Sequence, residues 1–192
     1  MLVENEEKLV DLFGKPNATN YKDWLSVSSF LAYASNLQLV RVVNAAAAKN
    51  SSAGASATGT GRLIKNSNDY EVTDFTASTD LWVAKYPGVL GNALGVAWAD
   101  TAGFDEVDSE GEATWPWYGL FDSAPAANEY HVVVYDKTGA ITGTPDTALE
   151  TFAFVSSSTS AKSYDGTSAY FKTKINNGSA WIWVGKTSLL VS

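Results

Sequence analysis

The chain contains no cysteine, which excludes a disulfide framework, a thiolate zinc site and a cysteine nucleophile. It has a single histidine, His131, so a metal site could draw on one imidazole at most. No apolar run approaches the 18 or so residues needed to span a bilayer, so no membrane insertion is expected. Met1-Leu2-Val3 leads into Glu4-Asn5-Glu6-Glu7, the wrong charge and length for a signal peptide, and the chain reads as soluble and made in a cytoplasm. Positive charge is scarce. The net charge is −8, which argues against nucleic acid as a partner. Between Lys85 and Lys137 there is no basic residue at all, while Asp100, Asp105, Glu106, Asp108, Glu110, Glu112, Asp122, Glu129 and Asp136 crowd that interval. A run of like charges repels itself into solvent, so a solvated acidic loop is expected. The alternative is a contact surface for a basic partner, centred on Asp105, Glu106, Asp108, Glu110 and Glu112.

What is present is ordinary globular material. The 192 residues are 45% apolar and 18% charged, enough to bury about 70% of the unfolded surface. Residues 4–13 read as a short helix ended by Gly14, and a second helix is expected over 20–34, capped by Thr19 or Asn20. Leu37–Val43 is apolar at both parities, as suits a central strand buried on both faces. Residues 45–61 are small, polar and low in complexity and read as a mobile loop or linker. Arg62–Ile64 and Tyr70–Phe75 read as short strands, a hairpin across Asn66-Ser67-Asn68.

The middle of the chain is organised around Leu81–Trp98. An apolar run, Leu81–Ala84, meets Lys85-Tyr86-Pro87-Gly88, where Pro fixes φ and Gly admits positive φ. Gly91 and Asn92 both tolerate left-handed backbone. Leu94, Val96 and Trp98 then alternate with Gly95 and Ala97, the period of a strand with one large-residue face. On physical grounds alone, Lys85–Asn92 is a compact, non-regular connection inside a core. Further on, Trp115-Pro116-Trp117-Tyr118 reads as a loop pinned to the surface by its rings. His131–Tyr135 and Leu149–Val155 read as strands, the latter alternating at Phe152 and Phe154. A helix is expected within 166–175, a last strand over Ala180–Val184, and a further element beginning at Leu189–Val191. The order is α+β (mixed α/β), with a mixed sheet and flanking helices. Three segments are expected: 1–44, 45–80 and 81–192.

Known chemistries fail on spacing. Gly185-Lys186-Thr187-Ser188 resembles the end of a phosphate-binding loop, but the preceding glycine, Gly178, lies two positions too far back and the interval is a strand. No Gly-x-Ser-x-Gly elbow accompanies His131, which is expected to be a satisfied strand histidine. A calcium loop started at Asp108 places Ala113 where Gly is needed and Gly119 where Glu is needed. No catalytic, cofactor or metal residue is therefore expected, and the chain does not read as an enzyme. Tryptophan content and acidity leave a carbohydrate-binding or adhesive domain as an alternative.

Ala84-Lys85-Tyr86-Pro87-Gly88, followed by Gly91-Asn92 and an apolar strand, resembles a core segment of contractile tail sheath proteins of large contractile-tailed bacteriophages. Three further blocks match in order. The first is Leu12-Phe13-Gly14-Lys15-Pro16 with Phe30-Leu31, Tyr33, Leu39-Val40 and Val42-Val43. The second is Val132–Tyr135 with Asp136, Gly139, Thr142–Pro145, Leu149-Glu150 and Phe152. The third is Asp165-Gly166 with Tyr170, Lys172, Ile175-Asn176, Ser179, Trp181 and Trp183. The resemblance implies a structural subunit, or a fragment or truncated relative of one, that packs around a tail tube and contracts to drive it through the host envelope. The implied partners are other sheath subunits, the tube and the baseplate, and the implied location is the virion. A phage-derived bacterial injection device is the nearest alternative. Family subunits are longer and carry extended arms that add strands to neighbours. Without such arms, this chain is expected to be monomeric. The family offers no counterpart for Trp115–Tyr118.

Overall fold

The structure, a computed structural model, describes residues 1–40, 42, 49–52, 61–76 and 78–187. The chain forms two compact units, 1–44 and 45–192.

In the first unit, β1 (Leu2–Val3) precedes α1 (Glu6–Phe13) and α2 (Tyr21–Leu31), and β2 (Leu37–Gln38) returns to pair antiparallel with β1. Asn5 caps α1 by accepting the Lys8 amide at 2.7 Å, and Glu6 and Glu7 occupy the first turn, where the helix dipole favours them. Gly14 ends α1 at φ +76, and its carbonyl accepts the Trp24 indole N–H at 3.0 Å. Val3, Leu9 and Trp24 form the core. Asn20 occupies the cap position of α2 without a side-chain bond to the helix; its Oδ1 accepts the Asn17 amide instead. The expected buried strand Leu37–Val43 is not present as such. The ladder ends at Leu39, which exchanges bonds with Met1 at 2.8 and 2.7 Å, and Val40 and Val42 are 88% and 93% exposed. A strand apolar at both parities needs ladder partners and cover on both faces, and β1 supplies two residues only. Arg41 and Val43 lie outside the described residues.

The second unit corrects two further expectations. Most of 45–61 is outside the described residues, but Lys49–Ser52 does not behave as linker. β3 (Ser51–Ser52) pairs with β4 (Trp82–Ala84), and Asn50 is buried. Its amide donates to the carbonyls of Ile64 and Ala84 at 2.8 and 2.6 Å, and its Oδ1 accepts the Ile64 amide at 2.7 Å. The hairpin expected over 62–75 is instead a helix, α3 (Ser67–Val72). Asn66 Oδ1 accepts the Asp69 amide while Asp69 reaches back to the Lys65 amide, both at 2.9 Å. This reciprocal cap outweighs the β-favouring composition of the segment. Tyr70 then stacks on Trp183 at 4.9 Å and donates its hydroxyl to the Val184 carbonyl.

β4 is apolar throughout because it is covered on both sides. Trp82 joins one core with Val132, Val134, Phe171 and Ile175, and Val83 joins another with Ile64 and Phe75. α4 (Val89–Asn92), one helical turn, follows where a non-regular connection was expected. β5 (Leu94–Ala99) turns Leu94 and Val96 toward the main core. On its opposite face Gly95 lies under the Tyr135 ring. α5 (Thr101–Asp105) is capped by Asp100, which accepts the Gly103 amide at 2.8 Å. A 3-10 turn at Tyr118–Leu120 precedes β6 (Glu129–Asp136) and β7 (Thr147–Ser156). Then come α6 (Phe171–Gly178), which begins inside the expected window 166–175 and runs past its end, and β8 (Ile182–Val184). Leu189–Val191 lies outside the described residues.

The class is α+β. The sheet expected to be mixed resolves into three antiparallel ladders, β1-β2, β3-β4-β8 and β5-β6-β7, and the one parallel pairing described is the isolated bridge Ser156–Tyr170. Only β6 and β7 are joined by a short turn, from Asp136 to Thr147, and an antiparallel pair is what such a turn permits; the other pairings bring together segments distant in sequence. Simple alternation along β7 also fails. Tyr130 pairs with Val155 and Val132 with Phe152, so His131 faces two residues. This bulge, with Phe154 at φ +52, places Phe152 in the core and Phe154 on the other face against His131.

Candidate functional site

Two stretches stand out, and the structure gives them different characters. The first, Lys85–Asn92, is an internal connection. Pro87 is buried, Gly88 has φ +101, and α4 turns back so closely that Gly91 abuts the Tyr86 carbonyl. Tyr86 meets Trp181 edge to face at 5.9 Å. Asn92 is exposed, and its amide closes the turn on the Gly88 carbonyl at 2.9 Å. Lys85 is partly buried; its ammonium donates to the Ser179 carbonyl and lies 5.4 Å from the centre of the Trp183 ring. Burial lowers the Lys85 pKa, and the Glu150 carboxylate partly opposes that. Glu150 accepts the Ser179 hydroxyl and the Ala180 amide, both at 2.6 Å. Lys85 therefore ties β4 to the turn before β8. Lys85→Ala is expected to lower stability by about 1–2 kcal/mol. Lys85→Met, which keeps the stem over Trp183, should lose about half of that. Chemical denaturation checks both; a Lys85→Ala variant as stable as the parent would remove the tie.

The second stretch is exposed. Asp105, Glu106, Asp108, Glu110 and Glu112 are all at the surface, yet the segment is not a shapeless loop. Val107 and Ala113 form an antiparallel bridge. Asp108 Oδ1 accepts the amides of Glu110 and Glu112, each at 2.9 Å, and Gly111 takes φ +86 at the tip. One carboxylate thus orders the hairpin, while the side chains of Asp105 and Glu112 border a cleft of about 410 Å³. Phe104, Val107, Ala113 and Tyr118 supply its apolar lining. Among the described residues the ion pair is Arg62–Asp80 at 3.8 Å, remote from these acids in sequence.

The segment from α5 to Phe121 also covers the second face of β5-β6-β7, which explains Trp115–Tyr118. Trp117 packs on Tyr135 at 4.9 Å, Phe104 lies 4.6 Å from Tyr118 and 6.0 Å from Trp115, and Trp115 stacks on Phe121 at 5.6 Å. Phe121 in turn lies flat on His131 at 4.1 Å. His131 is fully buried. Its Nε2 lies 2.8 Å from the Ser123 carbonyl and its Nδ1 accepts the Phe154 amide at 3.3 Å. Only the neutral ring with hydrogen on Nε2 satisfies both contacts. Burial lowers its pKa, against the opposing pull of the Ser123 carbonyl and Glu129.

A histidine whose folded pKa lies below its unfolded value of 6.5 resists protonation when folded. Its contribution is complete above pH 6.5 and is lost as pH falls toward the folded pKa. Melting temperature should therefore fall between pH 6.5 and about 5, before carboxylates titrate. His131→Phe should flatten that part of the profile, and parallel profiles for parent and variant would refute the assignment.

Among the described residues no group of three or more His, Cys, Asp or Glu is placed to hold a metal ion, and no helix is long and apolar enough to cross a membrane. The strand expected before Gly185 is β8, and the Gly185 and Lys186 amides are engaged by the Leu81 and Asp80 carbonyls rather than arrayed around an anion site. Sequence reasoning singled out Lys85 and the acids but missed their partners. Ser179 and Glu150 meet Lys85 only through the fold, and Phe104, Val107 and Tyr118 become a cleft only when α5, the hairpin and the 3-10 turn converge.

The arrangement is a packed scaffold that carries an ordered acidic hairpin at its surface. No protein-family model matches the chain. It is 37% identical over 142 residues to the tail sheath protein of Salmonella phage ViI, an alignment that covers 74% of this chain and 20% of that protein. The chain is a relative of a phage tail sheath protein, and it spans about a fifth of that relative's length.

Proposed function

We propose that this chain is part of a structural subunit of a contractile phage tail sheath and that it works by packing rather than by catalysis. The observation that carries this reading is the 37% identity over 74% of the chain to a tail sheath protein. Its place would be the virion tail, its partners other sheath subunits, and through the complete protein the tail tube and the baseplate. Contraction requires rigid bodies with interfaces that have two stable packings, so that subunits exchange one set of contacts for another and drive the tube through the host envelope. The connection at Lys85–Asn92 serves such rigidity through Lys85, which locks β4 to the turn before β8. The acidic hairpin serves as a contact with a basic face on a neighbour.

Antibodies raised against this chain test the reading on virions of the phage that encodes it. In electron micrographs, label is expected at regular intervals along the whole tail. Label restricted to the capsid, the baseplate or the fibres, or none on intact and contracted tails, would overturn the assignment. For the acidic contact, the complete subunit carrying neutral residues at Asp105, Glu106, Asp108, Glu110 and Glu112 is compared with the parent by sedimentation. Assembly of the variant should be weaker at low salt and converge with the parent as salt rises and the Debye length falls below about 8 Å. Equal assembly at every salt concentration would return the hairpin to a solvated loop.

A further inference from the structure

The cleft beside the acidic hairpin has a chemistry more specific than negative charge. Its lining is mixed, and the apolar and aromatic part comes from Phe104, which is buried, and from Val107 and Tyr118, which are 56% and 45% exposed. Its border carries two carboxylates, Asp105 and Glu112, whose side chains take no part in the hydrogen bonds that order the hairpin; Asp108 does that work. The Val107–Ala113 bridge and the Glu106–Thr114 backbone bond at 3.0 Å hold the two walls together. From 86 to 136 the chain itself supplies no cation.

A cleft with an aromatic wall and a carboxylate border selects a cation that also presents an apolar face. Ammonium is compact and strongly hydrated, so it favours the border over the floor. Guanidinium is planar, sheds water more readily, stacks on an aromatic ring and pairs with carboxylates through fixed donors. We propose that this cleft receives an arginine side chain from a segment of another polypeptide, with Asp105 and Glu112 as its counter-charges and Tyr118 as its stacking surface. The inference rests on the reading of the hairpin as a contact surface and identifies what that contact receives. The cleft is open at the surface and, among the described residues, its acids form no ion pair, so docking requires no rearrangement of the hairpin. Charge complementarity sets the partner's sign, and the aromatic wall sets its side chain.

The isolated 192-residue chain, labelled with nitrogen-15, is titrated with the acetylated, amidated peptide Gly-Arg-Gly-Arg-Gly and with its lysine counterpart. Amide shifts should concentrate at Val107, Gly111, Glu112, Ala113 and Tyr118, and the arginine peptide should bind more tightly than the lysine one. D105N/E112Q should weaken binding about threefold to tenfold. E6Q/E7Q, which removes the same charge at α1, should weaken it less than about twofold. Shifts scattered over all acidic surfaces, equal losses in the two double variants, or equal affinity for the two peptides would each overturn the proposal. The titration needs no assembly. Failure here with tails still labelled by antibody removes the arginine site alone, whereas unlabelled tails with local arginine binding would remove the sheath reading and leave the site.

Discussion

Gly91→Ala is expected to be among the most destabilising single-methyl additions in this chain, at about 3 kcal/mol. A Cβ at position 91 would sit 2.1 Å from the Tyr86 carbonyl oxygen and 3.1 Å from Ala84 Cβ. Both are backbone or near-backbone atoms of a segment whose own neighbours are buried, so neither can move aside without shifting β4. Gly88→Ala differs in kind. Its backbone stands at φ +101, but a Cβ there would meet no atom within 4 Å. The expected cost is conformational only, about 1–2 kcal/mol. The two glycines of one short connection are thus needed for different reasons, one for space and one for backbone angle. Urea denaturation with an unchanged slope separates them. If Gly91→Ala tolerated urea as well as Gly88→Ala does, the close return of α4 on Tyr86 would be wrong.

Loss of the Asp136 carboxylate should cost about as much. Asp136 ends β6 with its side chain fully buried. Its Oδ1 accepts the Gly139 amide at 2.8 Å. Its Oδ2 accepts the amides of Ile141 and Thr142 at 2.8 and 2.7 Å and the Thr142 hydroxyl at 3.0 Å. Asp136→Ala strands three backbone donors at the β6–β7 turn, an expected loss of about 3 kcal/mol. Asp136→Asn can still accept at one oxygen, but its amide would face a donor at the other position, so an intermediate loss is expected. Burial alone would raise the Asp136 pKa, and the bonds from Thr142, Ile141 and Gly139 outweigh it, leaving the carboxyl below its usual 3.8. Because the folded pKa is depressed, its contribution is present above pH 3.8 and is lost as pH falls through the folded value. Acid unfolding of Asp136→Asn should lack this component. An acid limb identical to that of the parent would contradict the bonding described.

Lys85 and the acidic hairpin show how the same kind of sequence signal leads to opposite environments. Both are charged groups next to aromatic residues along the chain. Lys85 follows a strand covered on both faces, so its stem is drawn over Trp183 and its ammonium is paid out to the Ser179 carbonyl. Asp105 ends a helix of five residues and Glu112 lies in the hairpin after it, and both stay in solvent. Charge sign and spacing are visible in sequence, whereas depth depends on what the neighbouring elements cover.

The sequence by itself determined the elements whose signals are local. Asn5 with Glu6 and Glu7 starts α1 and Gly14 stops it, because caps and left-handed backbone act within one turn. The alternation of Leu94 and Val96 with small residues marks β5, and the apolar runs at 132–135 and 182–184 mark β6 and β8. The positive φ of Gly88, the α+β class and the likeness to tail sheath proteins were also legible there; the left-handed backbone expected at Gly91 and Asn92 is absent, because both lie in α4 and Gly91 is needed for space. Tertiary structure alone decided where burial falls. Val40 and Val42 are as apolar as Val132 and Val134, yet the first pair is exposed and the second fully buried, because β6 has strands on both sides and a core against it while Val40 and Val42 lie past the end of β2. Asn50 is locally indistinguishable from linker and becomes a buried bracket because Ile64 and Ala84 present carbonyls to it. Trp115, Trp117 and Phe121 acquire a role when Gly95 admits the Tyr135 ring and a bulge turns Phe154 toward His131. Periodicity and capping are properties of neighbouring residues, but solvent is removed by whichever distant segment arrives to cover them.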